Sequence, residues 1–148
     1  MRGVNVEGDE QADRRVHGGP QQAVYAYSRE DYEWWERELG RELLPGTFGE
    51  NLTLEGVDVS GARVGERWQI GTAVLEVTKP RLPCWKLEGR MEISGFIERF
   101  SEAARFGAYL RIIEEGAIAS GDDVTLSAAP DGAPSVREVG LAKLKRTE

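Results

Sequence analysis

The chain has 148 residues, about the length of one domain, and its 19 basic and 26 acidic residues give a net charge of −7. An acidic chain without a block of lysine and arginine lacks the electrostatic surface of a nucleic-acid-binding protein. Hydrophobic residues make up 40%, enough for a packed core, and no apolar run is long enough to span a membrane. We therefore predict a single domain over residues 1–148 that binds neither nucleic acid nor membrane.

Cysteine content and the start of the chain predict a cytoplasmic protein. The first fifteen residues, MRGVNVEGDEQADRR, contain no apolar segment of the kind that a secretory signal requires. The single cysteine, Cys84, excludes an internal disulfide and suits a reducing compartment. Glycine accounts for 18 of the 148 residues, which favours a turn-rich β fold over a helical bundle.

The first predicted elements are a loop, a strand and a helix. The polar, glycine-containing segment Met1–Pro20 predicts a loop, and the apolar and aromatic run Ala23–Tyr27 predicts a strand. Ser28 and Asp31 form a capping box that begins a helix, and Gly40 ends it. The buried stripe of this helix is predicted to consist of Tyr32, Trp35 and Leu39.

The rest of the chain predicts further short strands separated by helices. Gly71-Thr72 is a two-residue hairpin signal between two strands, and Ser135 with Glu138 is a second capping box. The predicted strands are Arg67–Ile70, Ala73–Thr78, Tyr109–Ile113 and Val124–Ala128, and the predicted helices are Ile93–Phe106 and a short C-terminal helix after Ser135. This pattern indicates a mostly β, α+β fold or a small barrel with helical insertions.

Cys84 is the first candidate for chemistry. A thiolate is a nucleophile and a soft metal ligand, and positive charge nearby favours it. Lys79, Arg81 and Lys86 lie within five residues of Cys84, on a segment stiffened by two prolines. The alternative is a buried structural cysteine, since cysteine is among the most buried residue types.

Two glycine-containing segments are weaker candidates. His17, the only histidine, precedes Gly18-Gly19-Pro20, where backbone N–H groups can approach an anion closely. An ordinary histidine before a turn explains the same residues. The segment Gly46–Asn51 is neither a P-loop nor a GxGxxG motif. The residues alone therefore indicate a cysteine site with a basic rim and no more.

Four stretches of the chain, taken together and in order, carry a resemblance to a known family. They are GDEQADRRVHGGPQQAVYAY (Gly8–Tyr27), GTFGENLTLEGVDVSGARVGERWQIG (Gly46–Gly71), KPRLPCWKL (Lys79–Leu87) and FGAYLRIIEEGAIASGD (Phe106–Asp122). In these the chain resembles the MOSC domain family, the domain shared with the C-terminal part of molybdenum cofactor sulfurases, and within it the stand-alone YiiM-type branch. The resemblance implies a mostly β, MOSC-type β-barrel with two or three short helices.

The resemblance also implies a cleft that holds the molybdenum cofactor (Mo-molybdopterin). The cysteine of the PRxPC motif falls on Cys84, which would ligate molybdenum or carry sulfur. A thiolate is soft and nucleophilic enough for either task. The planar fork of an arginine suits the pterin phosphate. The residues implied at the cofactor are His17, Gly18, Gly19, Phe48, Gly49, Asn51, Arg81 and Lys86, and those implied at the reacting centre are Cys84, His17 and Asn51.

The activity that the resemblance implies is a two-electron reduction of small N-hydroxylated compounds, such as hydroxylamino-purines. The electrons would come from a separate reductase, because the chain has no flavin or nicotinamide fingerprint. One alternative is a carrier, in which Cys84 holds a persulfide or the cleft stores or delivers the cofactor. A further alternative is a stably folded domain without activity.

The chain differs from these relatives in two ways. Relatives of this type usually begin some tens of residues earlier, with additional strands, and continue into a C-terminal helical region. A barrel without its first strands would leave an open sheet edge. We therefore expect a homodimer in which the partner covers that edge, together with weaker retention of the cofactor.

Overall fold

The structure is a computed structural model that describes residues 2–6, 14–16 and 23–146. The strands are β1 (Arg2–Val6), β2 (Arg14–Val16), β3 (Ala23–Ser28), β4 (Leu52–Glu55), β5 (Arg67–Ile70), β6 (Ala73–Lys79), β7 (Ala108–Glu114), β8 (Gly116–Ile118) and β9 (Asp123–Ser127). The helices are α1 (Arg29–Leu39), α2 (Trp85–Met91), α3 (Phe96–Ala103) and α4 (Val136–Arg146).

Seven strands form a closed barrel in the order β1-β4-β3-β7-β6-β5-β9. Neighbouring strands are antiparallel except for β3 and β4, which run parallel. Strands β2 and β8 form a separate two-stranded sheet. The predicted mostly β barrel is thus confirmed, and the described residues form four helices where two or three were expected.

Strand β1 closes the barrel, which corrects the expectation of a loop over Met1–Pro20. Gly3 pairs with Glu55 of β4 on one side and with Asp123 of β9 on the other. Glu55 and Asp123 are both distant from Gly3 in sequence, and no local sequence pattern predicts this pairing. Strand β1 occupies the sheet edge that was expected to be open, so an open edge no longer argues for a homodimer. The homodimer itself stays a prediction.

The Ser28 cap at the start of α1 and the full capping box at the start of α4 are confirmed. The hydroxyl of Ser28 accepts a hydrogen bond from the Asp31 N–H at 3.2 Å. At α4 the bonds are reciprocal, at 3.1 Å from the Glu138 N–H to the Ser135 hydroxyl and at 3.3 Å from the Ser135 N–H to the Glu138 carboxylate. A Cβ on Gly140 would lie 2.6 Å from the Phe106 ring, so the missing side chain allows α4 to pack closely there.

The middle helices differ from the prediction. Helix α2 follows the proline-rich segment directly and was not predicted, since it has only seven residues, includes Gly89 and lacks a side-chain cap. The predicted helix Ile93–Phe106 is shorter, because Gly95 and Ala104 adopt left-handed conformations at its two ends. Within the described ranges, no helix is both long and apolar enough to cross a membrane.

Two hydrophobic clusters stabilise the fold. The first fills the barrel interior and includes Trp68, Ile70, Leu75 and Leu110. The second, here called the aromatic cluster, packs α1 and α3 against the end of β3. It includes Tyr27, Tyr32, Trp35, Phe48, Phe96, Phe100 and Phe106. The aromatic cluster anchors the segment 46–51 beside the barrel, because Phe48 from this segment is fully buried in it.

On the outside of the barrel, Glu76 joins three neighbouring strands. It is the register partner of Arg67 on β5 and of Arg111 on β7. Its carboxylate lies 3.2 Å from the Arg67 Nε and 2.6 Å from the Arg111 Nη2. Burial acts to raise the pKa of Glu76, but its hydrogen bonds and attraction to the two arginines lower that pKa overall.

Candidate functional site

The candidate site begins where β6, β7 and β3 lie side by side. Lys79 pairs with Tyr109, and Tyr109 pairs with Tyr25, so one row crosses the three strands. The two tyrosine rings lie 5.0 Å apart. The Lys79 ammonium lies 5.7 Å from the Tyr109 ring centroid, and the Arg81 guanidinium lies 5.3 Å from that of Tyr25. Two cations thus border an aromatic surface at this end of the barrel.

The segment 46–51 contacts Arg81 and Tyr25 at this end of the barrel. The Arg81 Nη1 donates to the carbonyl of Phe48. Asn51 binds the Tyr25 backbone twice, through its N–H to the Tyr25 carbonyl at 2.8 Å and through its Oδ1 from the Tyr25 N–H at 2.9 Å. The structure therefore brings together the predicted residues Phe48, Asn51 and Arg81.

These contacts limit what Phe48 and Asn51 can offer a ligand. The Phe48 ring is fully buried in the aromatic cluster, so only its backbone faces Arg81. Asn51 is exposed, but its side-chain oxygen is engaged by the Tyr25 N–H. The amide NH₂ of Asn51 is therefore the group that can donate to a ligand.

Cys84 is half-buried at the residue before α2. Its burial acts to raise the pKa of the thiol, but the backbone N–H groups of Leu87 and Lys86 and the guanidinium of Arg81 together lower it below the ordinary value. The expected influence of Arg81 is therefore present, whereas Lys86 acts on the sulfur through its backbone N–H. A half-exposed thiol with a lowered pKa is the environment of a reactive or metal-binding cysteine.

Arg90 belongs to this place and was missed by the sequence reasoning. Its Nη1 lies 3.4 Å from the carbonyl of Thr47. Gly49 has φ of +84°, and a Cβ there would lie 2.8 Å from the Arg90 Nη1 and 3.1 Å from the Arg81 Nη1. Two guanidinium groups thus converge on exposed backbone, an arrangement suited to a phosphate. Arg90 is the sixth residue of α2, so a prediction of this helix from the sequence would have pointed to it.

The remaining predicted residues are only partly accounted for. His17, Gly18 and Gly19 lie outside the described residues. The residue before them, Val16, pairs with Gly116. In the part of the chain that the structure describes, no three His, Cys, Asp or Glu side chains are grouped to hold a metal ion. A metal bound at Cys84 would therefore take its other ligands from a cofactor or from outside this part.

Comparison with known proteins identifies the family of the chain. Residues 13–125 match the model of the MOSC domain. The chain belongs to the MOSC domain family. It is 38% identical over 82% of its length to the uncharacterized protein YflK of Bacillus subtilis, covering 55% of that protein. It is 34% identical over 79% of its length to the protein YiiM of Escherichia coli, covering 54% of it. This MOSC chain thus spans about half the length of these two relatives.

A third relative and two crystal structures extend the comparison. A protein of Gibberella moniliformis named Reductase is 33% identical over 86% of this chain, which covers 23% of that protein. The structure of YiiM from Geobacillus stearothermophilus superposes with a TM-score of 0.83 at 29% identity, covering 93% of this chain and 71% of that one. YiiM from Escherichia coli gives a TM-score of 0.81 at 26% identity, covering 95% and 76%. The MOSC fold of the chain is therefore shown.

Proposed function

We propose that this MOSC domain binds the molybdenum cofactor at Cys84 and reduces small N-hydroxylated compounds. The observation that carries the proposal is the half-exposed Cys84 thiol, whose pKa is lowered beside Arg81. MOSC domains are generally associated with binding of this cofactor.

The donor set of the site fits the cofactor. Molybdenum accepts soft thiolate ligands, and the lowered pKa of Cys84 favours the thiolate form. The pterin carries a phosphate, for which the converging guanidinium groups of Arg81 and Arg90 supply planar, bidentate donors. Gly49 and Arg90 are exposed, and Arg81 is half-buried beside them.

When bound, the cofactor would supply the two-electron chemistry that breaks the N–O bond of the substrate, with two electrons from the reductase and two protons converting the oxygen to water. The chain's own residues would hold the cofactor and orient the substrate. Cys84 would provide the metal ligand, and the backbone N–H groups of Leu87 and Lys86 together with Arg81 favour its thiolate form. The Asn51 NH₂ group would donate to the substrate. Lys86 and the segment His17–Gly19 are further proposed contacts of the cofactor.

A separate reductase is the proposed source of electrons. The relative named Reductase contains a region similar to this chain in less than a quarter of its length. The name of that relative supports a reduction, and we propose that the electrons for this chain come from another polypeptide. The proposed partners of this chain are therefore a small-molecule substrate and an electron-donating reductase.

Metal and pterin analysis of protein purified from a cofactor-competent host tests the proposal. We expect about one molybdenum per chain, lost in Cys84→Ser and reduced in Arg81→Gln. The matched control is Arg111→Gln, which changes an arginine on the outer face of the barrel and should leave occupancy unchanged. Protein without molybdenum or pterin would contradict the proposal.

The carrier function is the second candidate, and the same thiol favours it, since a nucleophilic cysteine can hold a persulfide. Cyanide-labile sulfur on Cys84 in protein without molybdenum would support this carrier. Bound cofactor without reduction of N-hydroxylated compounds, in the presence of a competent reductase, would instead support storage or delivery.

A further inference from the structure

We propose that Glu50 is a positioning residue of the Cys84 site, which acts through Tyr32 and the Phe48 peptide to hold the Arg81 guanidinium at the sulfur. The inference deepens the proposed function and rests on it for its bearing on the cofactor. Glu50 is fully buried, so it does not touch a ligand itself.

The Glu50 carboxylate collects donors from three parts of the chain. The Tyr32 hydroxyl donates to its two oxygens at 2.6 and 2.8 Å, the Thr53 hydroxyl at 2.7 Å and the Gly46 N–H at 3.0 Å. A buried carboxylate is costly, and these bonds offset part of that cost. An apolar residue at this position would leave these donors without their acceptor, so the carboxylate fixes the groups around it.

The bonds of Glu50 fix the segment 46–49. The Gly46 N–H is held by the carboxylate, and the Gly46 carbonyl accepts from the Gly49 N–H at 2.8 Å. The Tyr32 hydroxyl, which donates to Glu50, also accepts the Phe48 N–H at 3.3 Å. The Phe48 peptide is therefore held on its N–H side by groups that Glu50 orients.

The carbonyl side of Phe48 carries the connection to the cysteine. This carbonyl accepts from the Arg81 Nη1. Hydrogen bonds thus connect Glu50 through Tyr32 and Phe48 to Arg81. Arg81 lies three residues before Cys84, and its guanidinium is among the groups that lower the pKa of this thiol. An arginine side chain has many rotamers, and the hydrogen bond to Phe48 selects among them.

The inference predicts that loss of the Glu50 charge moves Arg81 away from Cys84. Cys84 is the only cysteine, so alkylation reports on it alone. We would measure at one pH the rate with negatively charged iodoacetate and the rate with neutral iodoacetamide. Their ratio cancels the fraction of thiolate and reports the positive charge beside the sulfur. Arg81→Met sets the scale, with an expected fall in the ratio on the order of threefold.

Glu50→Gln and Tyr32→Phe should each lower the ratio toward the Arg81→Met value. The matched control is Asp31→Asn, which alters another buried carboxylate, paired with Arg105 at 2.6 Å and not on the path. This control should lose stability while its ratio stays at that of the parent protein. Tyr32→Phe removes one oxygen only, and it decides the question if Glu50→Gln does not fold.

An unchanged ratio in folded Glu50→Gln or Tyr32→Phe would overturn the inference and leave Glu50 a purely structural residue. An unchanged ratio in Arg81→Met would overturn it as well, since Arg81 would then not lie at the sulfur. The assay uses protein without added cofactor. Absence of molybdenum in purified protein would therefore contradict the proposed function and leave this inference standing.

Discussion

Replacement of Phe48 by alanine tests whether the segment beside Cys84 is anchored by its aromatic ring. The ring is 0% exposed. Its centroid lies 4.6 Å from that of Tyr27, 5.0 Å from that of Tyr32 and 6.0 Å from that of Phe100. Truncation removes the buried ring and leaves a cavity among other rigid rings, which are poorly able to collapse into it. We therefore expect Phe48→Ala to lower the free energy of unfolding by about 3–5 kcal/mol.

Urea denaturation followed by tryptophan fluorescence measures this loss, with the slope of the transition as a check on two-state unfolding. Leu44→Ala is the matched control, because Leu44 lies four residues earlier and is 77% exposed. The control should change the free energy of unfolding by less than about 0.5 kcal/mol. If Phe48→Ala cost no more than Leu44→Ala, the ring would not be part of the core, and a direct contact with the cofactor would become the better explanation.

Three further outcomes follow from the same contacts. Alkylation of Cys84 by iodoacetamide should have a pH midpoint below the free-thiol value of about 8.5, because burial, which raises the pKa, is outweighed by neighbouring N–H groups and Arg81; a midpoint at or above that value would contradict this. Gly49→Ala should cost about 1–2 kcal/mol in chemical denaturation, since φ is +84° and the methyl would meet Arg81 and Arg90; unchanged stability would show that the segment rearranges freely. The folded-state pKa of Glu76 is lowered overall, against the effect of burial, by two arginines, so its stabilisation is present above the ordinary glutamate pKa and is lost as pH falls through the folded value. Between about pH 6 and pH 3, Glu76→Gln should lose less unfolding free energy than the parent protein, and equal losses would be the contrary result.

The elements that the sequence predicted correctly are those with strong local signals. The hairpin at Gly71-Thr72 joins β5 and β6 as expected, and Ser28 and Ser135 cap their helices. The elements that were missed lack such signals. Strand β1 is polar and is formed by pairing with two distant strands, and α2 is short and uncapped.

The sequence by itself determined the neighbours of Cys84, the predicted chemistry-bearing residue, only along its own segment. Cys84 and Arg81 are three residues apart on a proline-stiffened segment, so their proximity follows from the covalent chain. Only the tertiary structure decided that Tyr25, Arg90 and the Phe48 carbonyl join them. It also decided that the Phe48 ring faces the core.

Glu50 shows the physical reason most clearly. In the sequence it is one acidic residue among 26, and such residues are ordinarily on the surface. Its burial depends on hydroxyl groups from α1 and β4 that satisfy the carboxylate. Thr53 is only three residues from Glu50, but Tyr32 is 18 residues away and reaches the carboxylate through the packing of α1 against the barrel, which no local sequence pattern predicts.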